Sequence, residues 1–192
     1  MKLFIKNMIT SASKAKAIAI LQNHGLQATL ADLGEVELNA EISSNQYDEI
    51  KEALRNEGFE LINSKAVVLV EKVRILVIEM IHYSTELPDI NYSDYISSRL
   101  HLDYTYLSRC FTRLRRMTIQ QFIISEKIER VKELLLFNDL SLSEIAWRLH
   151  YSSASHLSAQ FKKVTGLTPS DFRKMQQRLH DNEDQYHHEN HN

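Results

Sequence analysis

The strings RLHLDYTYLSRCF, at residues 99–111, and RLHYSSASHLSAQF, at 148–161, are two versions of one unit set about fifty residues apart. Each runs Arg-Leu-His, a short polar stretch, then Leu-Ser and a Phe four residues after that Leu. The polar stretch supplies a residue able to cap a following helix: Asp103 in the first copy, Ser152 in the second. Leu107 with Phe111, and Leu157 with Phe161, are i, i+4 pairs on one face of that helix. The spacing therefore predicts, twice, a short helix, a tight turn and a second helix. In a helix-turn-helix of this kind the second helix lies in a major groove and is read from its N-terminal side.

The flanking segments carry helical periodicity. From Val73, VRILVIEMIHYS reads as an amphipathic-to-buried helix, and LPDIN as a linker broken by Pro88. YSDYISSRLH places Tyr92, Tyr95, Ile96 and Leu100 at i, i+3, i+4 and i+8. YTYLSRCFTRLRR has Leu107, Cys110, Phe111 and Leu114 as its core face. IQQFIISEKIERVKELLLFN is a long connecting helix, Ser141 caps LSEIAWRL, and SASHLSAQFKKVT ends at Gly166. Leu107, Phe111, Trp147, Leu157, Phe161 and Phe172 are expected in the core, with Cys110 as a small buried hydrophobe. Only four Gly and two Pro in 192 residues leave few breaks.

The N-terminal third alternates between periods. KLFIKNM reads as a strand, and SKAKAIAILQNHG as a helix stopped at Gly25. LQATLADLGEVELNAEI reads as two strands around Asp32-Leu33-Gly34. SNQYDEIKEALRNEGFEL reads as a helix capped by Ser44 or Asn45 and stopped at Gly58, and AVVLVE as a closing buried strand. The order is βαββαβ, a ferredoxin-like split sandwich. The expected division is 1–71 for this α+β module, 72–178 for an all-α domain with two helix-turn-helix units joined by a long helix, and 179–192 for a disordered tail.

Charge separates these parts. Residues 92–180 hold 14 Lys and Arg against 8 Asp and Glu, a net +6, whereas 1–72 hold 8 against 10. A basic body on an otherwise acidic chain is an electrostatic footprint for phosphate. The single Cys excludes a disulfide framework and fits a reducing, cytoplasmic setting. MKLFIKNMIT has neither the apolar run nor the cleavage pattern of a signal peptide, and no membrane span is expected. The tail HDNEDQYHHENHN places His180, His187, His188 and His191 among acids. Such a tract can bind metal, but its composition favours a solvated segment. No Ser-His-Asp set, phosphate loop or paired-carboxylate cleft emerges, so neither an enzyme nor a cofactor is expected.

The residues YLSRCF, KIERVKELLL, LSLSEIAWRLHY and HLSAQFKKVTGLTPSDFR occur in the order and spacing of the AraC/XylS-type DNA-binding domain, which residues 74–176 closely resemble. The resemblance implies a transcription regulator with double-stranded DNA as partner. His101 and His150 stand where that family often has Gly in the turn, so the turn is expected intact but less relaxed. By the same resemblance Tyr104, Thr105, Ser108 and Arg109 in the first recognition helix face bases. In the second, Ala154, Ser155, Ser158 and Ala159 do so. Arg109 is the strongest candidate, because Arg bonds guanine bidentately. Its duller reading is a structural Arg paired with an acid of the bundle. Arg113, Arg115, Arg116, Lys162 and Lys163 are phosphate candidates, or else an ordinary solvated face.

The N-terminal module, with Met8 after strand one and EGFEL after helix two, resembles a heavy-metal-associated domain of the copper-chaperone type. That family binds metal through Met-x-Cys-x-x-Cys; here the loop is MITSAS, with Thr10 and Ser13 where the thiolates would be. No metal ligand is assigned. The module is expected to serve dimerisation, pairing two DNA-binding domains as a homodimer, or an unidentified effector. The alternative function is metal binding or transfer through this module or the His-rich tail; the module's loop lacks the thiolates that a soft metal would need.

Overall fold

A computed structural model describes residues 1–31, 33–84, 91–137 and 140–178. The LPDIN linker expectation and the tail expectation, including all four tail histidines, fall wholly or largely outside these residues. The chain divides into two compact units, one of 1–83 with 88–119, the other of 84–87 with 120–192.

The first unit begins with β1 (Lys2–Lys6), α1 (Ser11–Asn23), β2 (Ala28–Leu30), β3 (Glu35–Leu38), α2 (Ser44–Asn56) and β4 (Glu60–Ile62). The strands form one sheet in the order β2-β3-β1-β4, every neighbouring pair antiparallel. Leu3 stands opposite Val36, and Phe4 opposite Ile62. One face of the sheet, with Leu3, Ile5, Val36 and Leu38, packs on Ala17 and Leu21 of α1 and Ile50 and Leu54 of α2. The other face belongs to a second cluster that includes Phe4, Leu33 and Ile62. Burial on both sides explains why β1 reads Leu-Phe-Ile without polar alternation.

The closing strand is not AVVLVE. It is the short Glu60-Leu61-Ile62, and residues 66–71 lie inside α3 (Lys65–Ile78), which continues into a π-helical turn, Glu79–Tyr83. An apolar run of six is compatible with a buried strand or a buried helix, and periodicity does not separate them. α3 packs against the two helices that follow it in the same unit, α4 (Tyr92–Leu100) and α5 (Tyr104–Arg115), and contributes Ile75 and Leu76 to the cluster on the sheet's second face, so apolar residues are required around most of its girth. The helix runs without interruption across residues 71 and 72. The helix α2 is capped by Ser43, one residue earlier than expected, through a reciprocal pair with Gln46.

The first unit closes with α4 (Tyr92–Leu100) and α5 (Tyr104–Arg115). The second contains nearly all of α6 (Ile119–Phe137), then α7 (Leu142–Arg148), α8 (Ala154–Thr165) and α9, over 169–178. Its buried side chains include Phe122, Ile128, Val131, Ile145, Leu157 and Phe161. The Phe161 and Phe172 rings meet edge-on at 5.5 Å. Two expected core residues are not core: Leu114 is 42% exposed and Trp147 76%. In α7 the buried face is Ile145, Ala146 and Leu149, which leaves Trp147 on the outer side of a two-turn helix.

Candidate nucleic-acid interface

Both repeats fold as a short helix, a three- to five-residue turn and a twelve-residue helix. In the first, Asn91 caps α4, and His101 ends it in the left-handed region at φ 53°, its N–H donating to the Ser97 carbonyl. Leu102 N–H donates to the same carbonyl at 3.3 Å, and the Asp103 carboxylate accepts from Tyr106 N–H at 3.0 Å. In the second, Ser141 and Glu144 form a reciprocal capping box on α7. The Ser141 hydroxyl, then its backbone N–H, holds the Glu144 carboxyl below the usual carboxylate range. His150 turns at φ 52°, and Tyr151 N–H donates to the Ala146 carbonyl at 2.8 Å. Histidine thus occupies the left-handed turn position in both copies, where glycine is the unstrained choice.

The cap of α8 is Ser153, not Ser152: its hydroxyl accepts from His156 N–H at 3.1 Å. Ser152 is engaged elsewhere, its Oγ 3.0 Å from His156 Nδ1. The His156 ring also meets Tyr151 edge-on at 5.3 Å, and Lys127 Nζ lies 5.0 Å from the Tyr151 ring centre. Burial lowers the Lys127 ammonium pKa to about 8. The first turn of α8 is therefore braced by a contact chain from α6 through Tyr151.

The two long helices expose the same positions. Leu107 and Phe111 are buried in α5, as are Leu157 and Phe161 in α8. Thr105, Tyr106 and Arg109 are exposed, and so are Ser155, His156 and Ala159, each fifty residues on. Tyr104 and Ser108 are half-buried, matching Ala154 and Ser158. Burial also raises the Tyr104 phenol pKa. Helical spacing of three and four puts Thr105, Ser108 and Arg109 on one side of α5 and Ser155, Ser158 and Ala159 on one side of α8. Tyr106 and His156 were not among the sequence-derived candidates; the offset of fifty that pairs the other positions pairs these two as well.

Arg113, Arg115 and Arg116 continue along α5 to its left-handed C-cap, Arg116 at φ 58°. Lys162 and Lys163 occupy the last turn of α8. All five are exposed, and among the described residues neither they nor Arg109 takes part in an ion pair. This contrasts with Arg74, Arg130 and Lys132, each paired with a Glu of its own helix. Cations near a helix C-terminus also complement its dipole, which accounts for part of their placement.

At the N-terminal loop that resembles a metal site, Met8 is fully buried. Thr10 caps α1, its Oγ1 accepting from Ser13 N–H at 3.1 Å, while the Ser13 hydroxyl donates to the Thr10 carbonyl at 2.9 Å. The two residues at the thiolate positions are spent on starting a helix.

Residues 96–175 match the helix-turn-helix domain family. Over 118 residues the chain is 26% identical to the uncharacterized HTH-type transcriptional regulator YtdP of Bacillus subtilis, an alignment covering 62% of this chain and 15% of that protein. Over 82 residues it is 29% identical to the melibiose operon regulatory protein of Escherichia coli K12, covering 43% and 27%. It thus spans only a small part of the length of these relatives. Among solved structures, the C-terminal domain of AraT, a response regulator from Geobacillus stearothermophilus, aligns with a TM-score of 0.50 at 26% identity, over 58% of this chain and 88% of that one. The matched region coincides with the two repeated units and the helix between them: residues 96–175 are a helix-turn-helix DNA-binding domain of the AraC type.

Proposed function

We propose that the chain is a sequence-specific transcription regulator that inserts α5 and α8 into major-groove segments of double-stranded DNA. The observation that carries this reading is the repeated exposure pattern, with Arg109 outward, exposed and without an acidic partner among the described residues. In this reading Tyr104, Thr105, Ser108 and Arg109 meet bases from the first unit, and Ala154, Ser155, Ser158 and Ala159 from the second. Arg113, Arg115, Arg116, Lys162 and Lys163 neutralise phosphates. Selection of bound sites from a random duplex pool by the whole chain tests it. A recovered motif supports the reading, and a pool that stays unenriched at low salt overturns it.

The first 62 residues are read as a ferredoxin-like module of the heavy-metal-associated kind that has left metal chemistry. Supporting this are the element order βαββαβ, the antiparallel order β2-β3-β1-β4, and the use of Thr10 and Ser13 as helix-start hydroxyls. Titration of the chain with Cu(I) is expected to show no tight stoichiometric site in the module; a submicromolar one would revive metal transfer. Homodimerisation through the module is the remaining expectation for it, tested by sedimentation of the whole chain. Among the described residues no helix is long and apolar enough to cross a membrane. A regulator of this kind works where its DNA is, in the cytoplasm.

A further inference from the structure

A split βαβ sandwich carries its helices on one face of the sheet, and the opposite apolar face needs a cover. In the first unit that cover comes from the helix-turn-helix scaffold itself. Phe4, Leu33 and Ile62 of the sheet side form one buried cluster with Ile75 and Leu76 of α3, and Tyr95 and Leu100 of α4 pack against it. The β2–β3 hairpin sits close to α3: a Cβ on Gly34, which has φ +82°, would stand 3.0 Å from Phe4 Cζ and 3.2 Å from Ile75 Cδ1. The first turn of α1 is tied to the end of the same scaffold, with Lys14 Nζ 3.0 Å from Glu79 Oε1. α3 in turn packs along α5.

We infer that the N-terminal module is the built-in brace of the first helix-turn-helix unit, so that displacing the sheet alters how α4 and α5 are held. A signal received at the module then changes the DNA contacts of the first unit selectively, while the second unit, which has its own core, keeps its contacts. This rests on reading α5 as a DNA-contacting helix. The physical basis is that α3 and α4 share a close-packed cluster with the sheet, and packed cores transmit displacement because they have little free volume.

The test uses the whole chain with Phe4→Ala, and with Phe4→Leu as a milder change that keeps an apolar side chain at the site. Amide hydrogen exchange is followed in residues 92–115 and 142–165. With Phe4→Leu, exchange across 92–115 is expected to rise about tenfold while 142–165 stays as in the wild type. Unchanged exchange across 92–115, alongside faster exchange in the strands 2–6 and 60–62, overturns the brace. So does an equal rise in both recognition helices. On a duplex selected by the wild type, footprints of Phe4→Leu are expected to lose protection over the segment read by α5 and keep it over the segment read by α8; equal loss over both overturns the selectivity. If the wild type selects no duplex, the DNA reading fails by that result, and the exchange comparison decides the brace on its own.

Discussion

Arg109 and Ala159 occupy the same position of the repeated unit, and in the proposed DNA-reading mode the difference between them divides the work of recognition. A bidentate Arg–guanine contact carries about 1–3 kcal/mol of discrimination, whereas a methyl or small hydroxyl discriminates less. Arg109→Ala is expected to relax preference at one or two base pairs in one half of the site, and Ser158→Ala to do much less. A base-by-base binding profile of both variants checks this. Loss of all preference in Ser158→Ala, with Arg109→Ala unchanged, would show that the roles sit in the opposite repeats. At the turns, His101 and His150 hold φ near +50°, a conformation that costs a side chain with a Cβ about 1 kcal/mol or more. His101→Gly and His150→Gly are each expected to raise stability by about 0.5–1 kcal/mol, with the greater freedom of glycine in the unfolded chain offsetting part of the relief. Urea denaturation measures it, and a loss of stability in both would mean that the imidazoles contribute more than the strain costs.

Among the elements, α7 depends most on its start, because seven residues make few internal hydrogen bonds. The Ser141–Glu144 box satisfies two of its otherwise unpaired groups, so Ser141→Ala is expected to cost about 1 kcal/mol by denaturant midpoint. The contact from α6 to α8 through Lys127 and Tyr151 has a pH signature. Burial lowers the Lys127 pKa from 10.5 to about 8, so between those values the unfolded chain holds a proton that the folded chain has released. Stability linked to this group therefore rises with pH across that window. The Tyr151 ring, 5.0 Å from the ammonium, favours the charged form and moderates the effect without reversing it. Lys127→Met is expected to gain most over the wild type near pH 7.5, with the gap narrowing by pH 9.5. A gap independent of pH would show that Lys127 titrates as it does in water.

At the scale of the whole chain, affinity for DNA is expected to fall steeply with salt, because Arg109, Arg113, Arg115, Arg116, Lys162 and Lys163 are exposed and, among the described residues, in no ion pair. Lys162→Ala should weaken binding to all sequences nearly equally and lower the salt slope by about one. A fragment of 74–176 is expected to bind more weakly than the whole chain, since starting at 74 removes more than half of α3 and uncovers Leu76, Tyr95 and Leu100. Anisotropy titrations over a salt series compare the two. Equal affinity would mean that the first unit does not need the sheet to hold its shape.

The sequence by itself determined the two repeated units, because i, i+4 apolar pairs, capping residues and a left-handed turn residue are local features that set local structure without reference to the rest of the chain. Asp103, Ser141, Gly166 and the pairs Leu107–Phe111 and Leu157–Phe161 take the roles that spacing assigned them. Where a neighbour decides, the local pattern leaves the outcome open. AVVLVE is helix because α3 is enclosed by the sheet and by α5, and an apolar run looks the same in either kind of buried element. Trp147 is outside because the inward face of α7 is filled by Ile145, Ala146 and Leu149, which hydrophobicity alone does not rank. Ser153 rather than Ser152 caps α8 because the Ser152 hydroxyl lies against His156 instead. Only the tertiary structure could show that the sheet and the first helix-turn-helix share one core: the contact joins Phe4 to Ile75 and Tyr95 across long stretches of chain, and no periodicity records which apolar face meets which.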